Sequence, residues 1–290
     1  MMKKLWILCL AIVTAALLAA CGGKDTGTGK DGETVKVIIG VNGSDGVQWP
    51  ILKEKAAKEG IEIELMEFAD YTLPNNALAN KDIDINAFQH IAFLAQYANE
   101  SGEDLIPIGS TMLAPMGIYS EKIKDVSEIK EGDKIAIPDD PSNQARALRL
   151  LASAGLIELS DDFGLFGDPS KIVDNPLKLD IVPMTAQQTP RVLPDVAASV
   201  INNGVAGQAG FSPANDPILK EDGDDESIHP YINIIAARAE DKDNETYKRI
   251  VELYQEEDIE KAVQEDTNGG SFLVKLSQEQ LDAAFENLRK

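Results

Sequence analysis

The sequence predicts an α/β protein with mostly parallel sheets, long enough to form two lobes. Apolar runs of strand length alternate with amphipathic stretches of helix length along most of the chain. They follow one another as strand–helix–strand units, the pattern that lays helices over a parallel sheet. About 255 residues follow an N-terminal polar segment, and a chain of that length buries a large core. No period of the solenoid kind interrupts the alternation.

The N-terminus is of another kind. Met1-Met2-Lys3-Lys4 precedes an apolar run from Leu5 to Leu18. Two positive charges and a short apolar core have the layout of a secretory signal, here residues 1–20. The run is about 14 residues, against about 20 for a bilayer span. It ends in Leu18-Ala19-Ala20-Cys21, small residues before a cysteine whose thiol can take a diacylglyceryl chain. Cys21 is therefore the expected lipidation site, and acyl chains there hold a protein on a membrane. Residues 21–34 are Gly, Lys, Asp and Thr-rich and read as a flexible tether. The expected place is the extracytoplasmic face of the cell membrane, lipid-anchored.

The strands and helices come next in order. Strands are expected at Val35–Val41, Ile61–Phe68, Ile83–Phe88, Leu105–Ile108, Met116–Tyr119, Lys134–Ile137, Leu179–Val182, Ala197–Ile201 and Tyr231–Ala236. Helices are expected at Val47–Glu59, from Asn75 to Ala79, and at His90–Glu100. Another runs from Pro141 through Ala154, behind Asp139 and Asp140 as caps. Three more close the chain at Asn244–Gln255, Ile259–Glu265 and Leu276–Leu288.

Composition excludes several functions. Lys and Arg number 27 and Asp and Glu 49, a net charge of −22. Loss of Lys3 and Lys4 with the signal takes this to −24, which argues against nucleic-acid partners. The only cysteines are Cys9, inside the signal, and Cys21, so the folded part has no thiolate and no disulfide. Two histidines, His90 and His229, are too few for a His-rich metal site. No dinucleotide, P-loop or nucleophile-elbow motif occurs. Neither an enzyme activity nor a cofactor nor a metal is expected. The acidic run Glu221–Glu226 reads as a solvated loop.

Ligands of open α/β sheets bind beyond the carboxyl ends of strands. Five stretches there carry polar or aromatic residues: Phe68–Asn75, Asp84–His90, Ile137–Leu148, Val200–Asn203 and Pro230–Ile235. Together with the lipobox they resemble the NlpA lipoprotein family, over essentially all of Val35 to Lys290. The resemblance implies a periplasmic-binding-protein-like fold of type II, two α/β lobes with a ligand cleft between them. It implies a solute-binding lipoprotein that delivers methionine, or a close relative, to the permease and ATPase subunits of an ABC importer. On that fold, residues 35–112 and 236–290 are expected to form lobe 1 and residues 113–235 lobe 2. The chain would cross at Thr111–Pro115 and at Ile235–Ala237.

The residues fit an amino-acid ligand. Arg146, early on its helix behind Asn143, can grip a carboxylate through two parallel hydrogen bonds, and the helix N-terminus favours the same anion. Asn202 and Asn233 carry amides that can accept from an ammonium or donate to a carboxylate. Asn233 stands between two isoleucines in mid-strand, where Asn is disfavoured. Tyr71, Phe88, His90 and Phe93 are expected to form the side-chain pocket, since a thioether packs well on aromatic faces. Tyr119 is a weaker candidate.

Two departures from the family pattern stand out. Ile91-Ala92-Phe93-Leu94 replaces the usual Lys-Pro-Tyr-Leu, and Val205 stands where a Tyr is usual. Both remove a hydroxyl and predict a drier, roomier pocket. They motivate a second reading, a methionine-containing dipeptide or another apolar amino acid. A third reading is a surface adhesin-type lipoprotein without a transport role, and a fourth is a hydrolase.

Overall fold

The computed structural model describes residues 34–289. The signal, Cys21 and residues 21–33 of the tether lie outside the described residues. The chain opens with β1 (Val35–Val41), whose Val37, Ile39 and Val41 are fully buried. Helix α1 (Gln48–Lys58) turns Trp49, Leu52 and Ala56 onto the sheet. Lys55 and Lys58 in its last turn oppose the negative end of the helix dipole. Strand β2 (Ile61–Glu67) alternates inward Ile61 and Ile63 with outward acids. Pro141 and Pro74 each start a helix, where a missing N–H costs nothing. Helix α2 (Pro74–Ala79) leads to β3 (Ile85–His90), α3 (Ile91–Ser101) and β4 (Leu105–Ser110). Helix α3 ends at Gly102, whose φ of 75° is the left-handed turn glycine tolerates.

The chain then leaves this sheet. It passes through the two-residue β5 (Met112–Leu113) into β6 (Gly117–Tyr119), β7 (Lys134–Pro138) and α4 (Pro141–Ser153). A short hairpin, β8 (Glu158–Leu159) with β9 (Ile172–Asp174), precedes β10 (Asp180–Met184) and β11 (Ala198–Ile201). Helix α5 (Asn203–Gln208) and β12 (Leu219–Lys220) follow. Strand β13 (Asn233–Arg238) returns to the first sheet. The chain ends in α6 (Glu245–Tyr254), α7 (Glu257–Asp266), β14 (Phe272–Leu273) and α8 (Gln278–Glu286).

Two five-stranded sheets result, in the orders β2-β1-β3-β13-β4 and β10-β7-β11-β6-β12. Each has a single reversed strand. β13 runs antiparallel to both β3 and β4, and β6 antiparallel to β11 and β12. Each of the two is the first strand of its sheet after a crossing, so it enters from the opposite end. The expectation of mostly parallel sheets therefore holds: four of the five strands in each sheet run in one direction, and only β13 and β6 are reversed. The return crossing differs from the expected Ile235–Ala237. β13 belongs to the first sheet from Asn233 onward, so the chain returns between Lys220 and Asn233. Residues 233–235, which the sequence division gives to lobe 2, are strand residues of the first sheet.

Separate apolar clusters fill the two faces of the first sheet, and a third fills the second. At Gly109 on β4 an added Cβ would come within 2.2 Å of Val251 Cγ1, which shows how closely α6 lies on that strand. A fourth, small cluster holds Tyr119, Leu193, Ile201, Val205 and Ala206 of the second lobe. Tyr71, from the loop after β2 in the first lobe, packs against it.

Candidate functional site

The carboxyl ends of β2, β3, β7 and β11 face one another across the two sheets, and the residues just beyond them converge. Tyr71, Phe88, His90, Phe93, Asn143, Arg146, Asn202 and Asn233 all line one cavity of ≈190 Å³. Drug-sized pockets run to about 300–1,000 Å³, so this one suits a ligand the size of a single amino acid.

One wall is aromatic and belongs to the first lobe. Ring centroids lie 6.1 Å apart for Tyr71–Phe88, 6.1 Å for Tyr71–Phe93 and 5.7 Å for Phe88–Phe93. The two contacts of Phe93 are edge-to-face and Tyr71–Phe88 is tilted, and at these separations the three rings form one surface. Behind it three buried amides are joined. Asn75 Nδ2 donates to Gln89 Oε1 at 2.8 Å, Gln89 Nε2 to Asn75 Oδ1 at 2.6 Å, and Asn86 Nδ2 to Asn75 Oδ1 at 2.9 Å. This network ties α2, and the loop carrying Tyr71, to the strand carrying Phe88 and His90.

His90 is both the cap of α3 and part of the cavity lining. Its Nδ1 accepts the Phe93 N–H at 3.1 Å, which puts the ring proton on Nε2. Nε2 then donates to Asn143 Oδ1 at 3.3 Å, a bond from the first lobe to the second. Burial first, and then the nearby Arg146 charge, push the imidazole pKa down to about 3. The ring is neutral at physiological pH.

Asn143 is fully committed. Its Nδ2 donates to both oxygens of Asp140, and its Oδ1 also accepts from Asn202 Nδ2 at 2.7 Å. Asp140 caps α4 by accepting the Asn143 N–H at 3.0 Å, and burial pushes its carboxyl above the ordinary range. The anion favoured by this helix N-terminus is thus Asp140 itself, which corrects the expectation that the N-terminus serves the ligand. Asn202 is different. It is 8 % exposed, and among the described residues no donor reaches its Oδ1. An orphaned buried acceptor on a cavity wall costs about 1–3 kcal/mol unless a ligand supplies a donor.

Arg146 departs most from expectation. Its Nε donates to Glu221 Oε1 at 2.8 Å and its Nη2 to Glu221 Oε2 at 2.5 Å. Nη2 also donates to the Ala114 carbonyl at 3.1 Å, and the guanidinium carbon lies 4.4 Å over the Tyr231 ring. The two parallel bonds read as a ligand clamp are made to a protein carboxylate. Only Nη1 has no protein acceptor among the described residues. Glu221 is not part of a solvated loop, since its side chain is 7 % exposed against 4 % for Arg146. The rest of the acidic run, apart from Gly223, is exposed as expected.

Asn233 lines the cavity from the first position of β13, not mid-strand, and its Nδ2 donates to the Met112 carbonyl at 3.1 Å. Tyr119 is 1 % exposed and packs on Phe211, with ring centroids 5.4 Å apart, away from the cavity. Val205 also lies off the cavity, in the small cluster with Tyr119. Its lost hydroxyl therefore leaves the lining unchanged, whereas Phe93 does face the ligand space. Sequence reasoning missed Asn42, Trp49, Gln208 and Tyr254, which complete the wall. Asn42 directly follows β1, so the strand-end rule could have found it. Gln208 Nε2 donates to the Asn42 carbonyl at 3.2 Å, a second bond between lobes.

Comparison with known proteins finds relatives over most of the chain. The NlpA lipoprotein family model matches residues 37–274. A Salmonella typhimurium protein named D-methionine-binding lipoprotein MetQ is 40% identical over 263 residues, covering 90% of this chain and 94% of that protein. The solved structure of protein PG110 from Staphylococcus aureus is 50% identical with a TM-score of 0.85, covering 87% of this chain and 99% of that one. A nutrient-binding protein from Burkholderia cenocepacia, solved bound to methionine, is 36% identical with a TM-score of 0.78, covering 83% and 99%. The fold is accordingly of the type II periplasmic-binding-protein kind, with its cavity between the two sheets.

Proposed function

This chain belongs to the NlpA lipoprotein family, and on that premise we propose that it captures methionine, or a close relative, outside the cytoplasm and hands it to an ABC importer. One observation carries the reading. A single cavity sets a buried amide oxygen without a donor, Asn202 Oδ1, and a guanidinium nitrogen without an acceptor, Arg146 Nη1, beside three packed aromatic rings. An α-amino acid has the complementary parts: an ammonium for the first, a carboxylate for the second, and a side chain for the rings. A thioether is polarizable and suits aromatic faces. The volume of ≈190 Å³ favours a free amino acid over a dipeptide.

Tyr71, Phe88 and Phe93 form the side-chain wall in this proposal, and His90 and Asn143 hold the polar wall in place. The protein binds and releases its ligand without chemistry. Anchored through Cys21, it presents the closed, loaded form to the permease and ATPase subunits. The bonds His90–Asn143 and Gln208–Asn42 are the contacts that closure makes and opening breaks.

A thermal-shift screen of amino acids on ligand-stripped protein tests this. Methionine at 100 times its dissociation constant adds about 2.7 kcal/mol of stability. If no amino acid raises the melting temperature, the binding function is wrong. If another apolar amino acid outranks methionine, the ligand is wrong and the function stands.

A further inference from the structure

The carboxylate of Glu221 has no place in an account of ligand capture by Arg146 alone. It bonds the guanidinium without lining the cavity, and it lies in the segment that returns the chain to the first sheet. It accepts three hydrogen bonds: from Arg146 Nε at 2.8 Å, Arg146 Nη2 at 2.5 Å and the Met116 N–H at 2.7 Å. Both side chains are nearly inaccessible to solvent, so the pair acts in a low-dielectric setting where unlike and like charges are felt strongly.

We propose that Glu221 is a specificity-determining residue of the cavity: it cancels the charge of Arg146, so that the site takes zwitterionic α-amino acids and rejects the corresponding 2-hydroxy acids, which arrive as anions. The proposal rests on the amino-acid-binding reading given above. An unpaired, buried Arg146 would demand an anion, and any carboxylate of suitable shape would satisfy it. Paired with Glu221, it offers one nitrogen to the ligand and no net charge. The other ionisable groups of the site add nothing positive. His90 is neutral, and Asp140 accepts from Ser142 and Asn143. A zwitterion enters this site without changing its net charge. A 2-hydroxy acid places a second carboxylate on one guanidinium with nothing to balance it. Its hydroxyl still donates to Asn202 Oδ1, so the hydrogen bond survives and the two ligands differ in charge.

The test is calorimetry on ligand-stripped protein with two probes, methionine and 4-methylthio-2-hydroxybutanoate. In the wild type, methionine should bind tighter by on the order of 10²-fold or more. Glu221→Gln should shrink that ratio at least about tenfold, equivalent to about 1.4 kcal/mol. Glu221→Asp, which keeps the charge, should keep the ratio even where both affinities fall. A purely structural Glu221 would weaken both ligands alike and leave the ratio unmoved, and that result would overturn the proposal. Equal binding of the two probes by the wild type would overturn it too, and this arm decides if Glu221→Gln does not fold. Failure of methionine to bind at all would instead refute the amino-acid reading beneath it.

Discussion

Replacing Arg146 with Met keeps most of the apolar stem of the side chain and removes the guanidinium with its charge. The structure predicts a large loss of stability even without ligand, because the change leaves the Glu221 carboxylate buried with one hydrogen bond, from Met116 N–H. Breaking a buried ion pair from one side costs about 3–5 kcal/mol. The contact with the Tyr231 ring goes as well, worth about 0.5–2 kcal/mol. At about 2–4 °C per kcal/mol for a chain of this size, the melting temperature should fall by roughly 6 °C or more. Replacing both partners, Arg146→Met with Glu221→Leu, removes the stranded charge and should recover about 2 kcal/mol or more, leaving mainly the Met116 N–H and the Ala114 carbonyl without their present partners. The assay is denaturant unfolding of the wild type, both single variants and the double variant, all ligand-stripped. Additivity within about 0.5 kcal/mol would mean that the two side chains do not interact, and the charge argument for the cavity would fall with it. Calorimetry on the same proteins should show the Arg146 variant losing about 2–5 kcal/mol of methionine affinity.

The remaining expectations are briefer. His90 titrates near 6.5 unfolded and at about 3 folded, so the native state refuses a proton that the unfolded chain takes. Its contribution is whole above pH 6.5 and is lost as pH falls toward 3, by roughly 3 kcal/mol at pH 4. His90→Gln should flatten the stability–pH profile by that amount in the same window, and identical slopes for both proteins would refute the neutral-imidazole assignment. Asn202→Ala should cost roughly 1–3 kcal/mol of methionine affinity by calorimetry, through loss of the ammonium acceptor. A change under about 0.5 kcal/mol would show that Oδ1 does not meet the ligand. Cys21→Ala should abolish fatty-acid labelling and release the protein from the membrane fraction or stall it as a precursor; unchanged labelling would disprove the anchor.

Much of this molecule is legible in its sequence, for a local reason. Strand and helix periodicity is a property of neighbours along the chain, so β1, β2, α3, α4 and α6 lie within a residue or two of where the pattern puts them. The two-residue strands β5, β12 and β14 are too short to show a period and exist only through their partners. Helix α5, with two glycines among six residues, has poor propensity and is held by the burial of Val205 and Ala206. The aromatic and amide residues of the cavity could be named because they follow strands, and strand ends in an α/β sheet are where ligands sit. Their working partners could not. Glu221 is 75 residues from Arg146, inside a run of acids that composition assigns to solvent, and only the packing of the return segment against α4 buries it. Likewise Asn143 and His90 are 53 residues apart, and their bond exists because two sheets face each other. The sequence determined which chemical groups line the cavity; the tertiary structure decided which of them satisfy one another and which, Asn202 Oδ1 and Arg146 Nη1, have no protein partner among the described residues. Hydrogen-bond satisfaction depends on distances of about 3 Å between residues remote in the chain, and no local pattern encodes those.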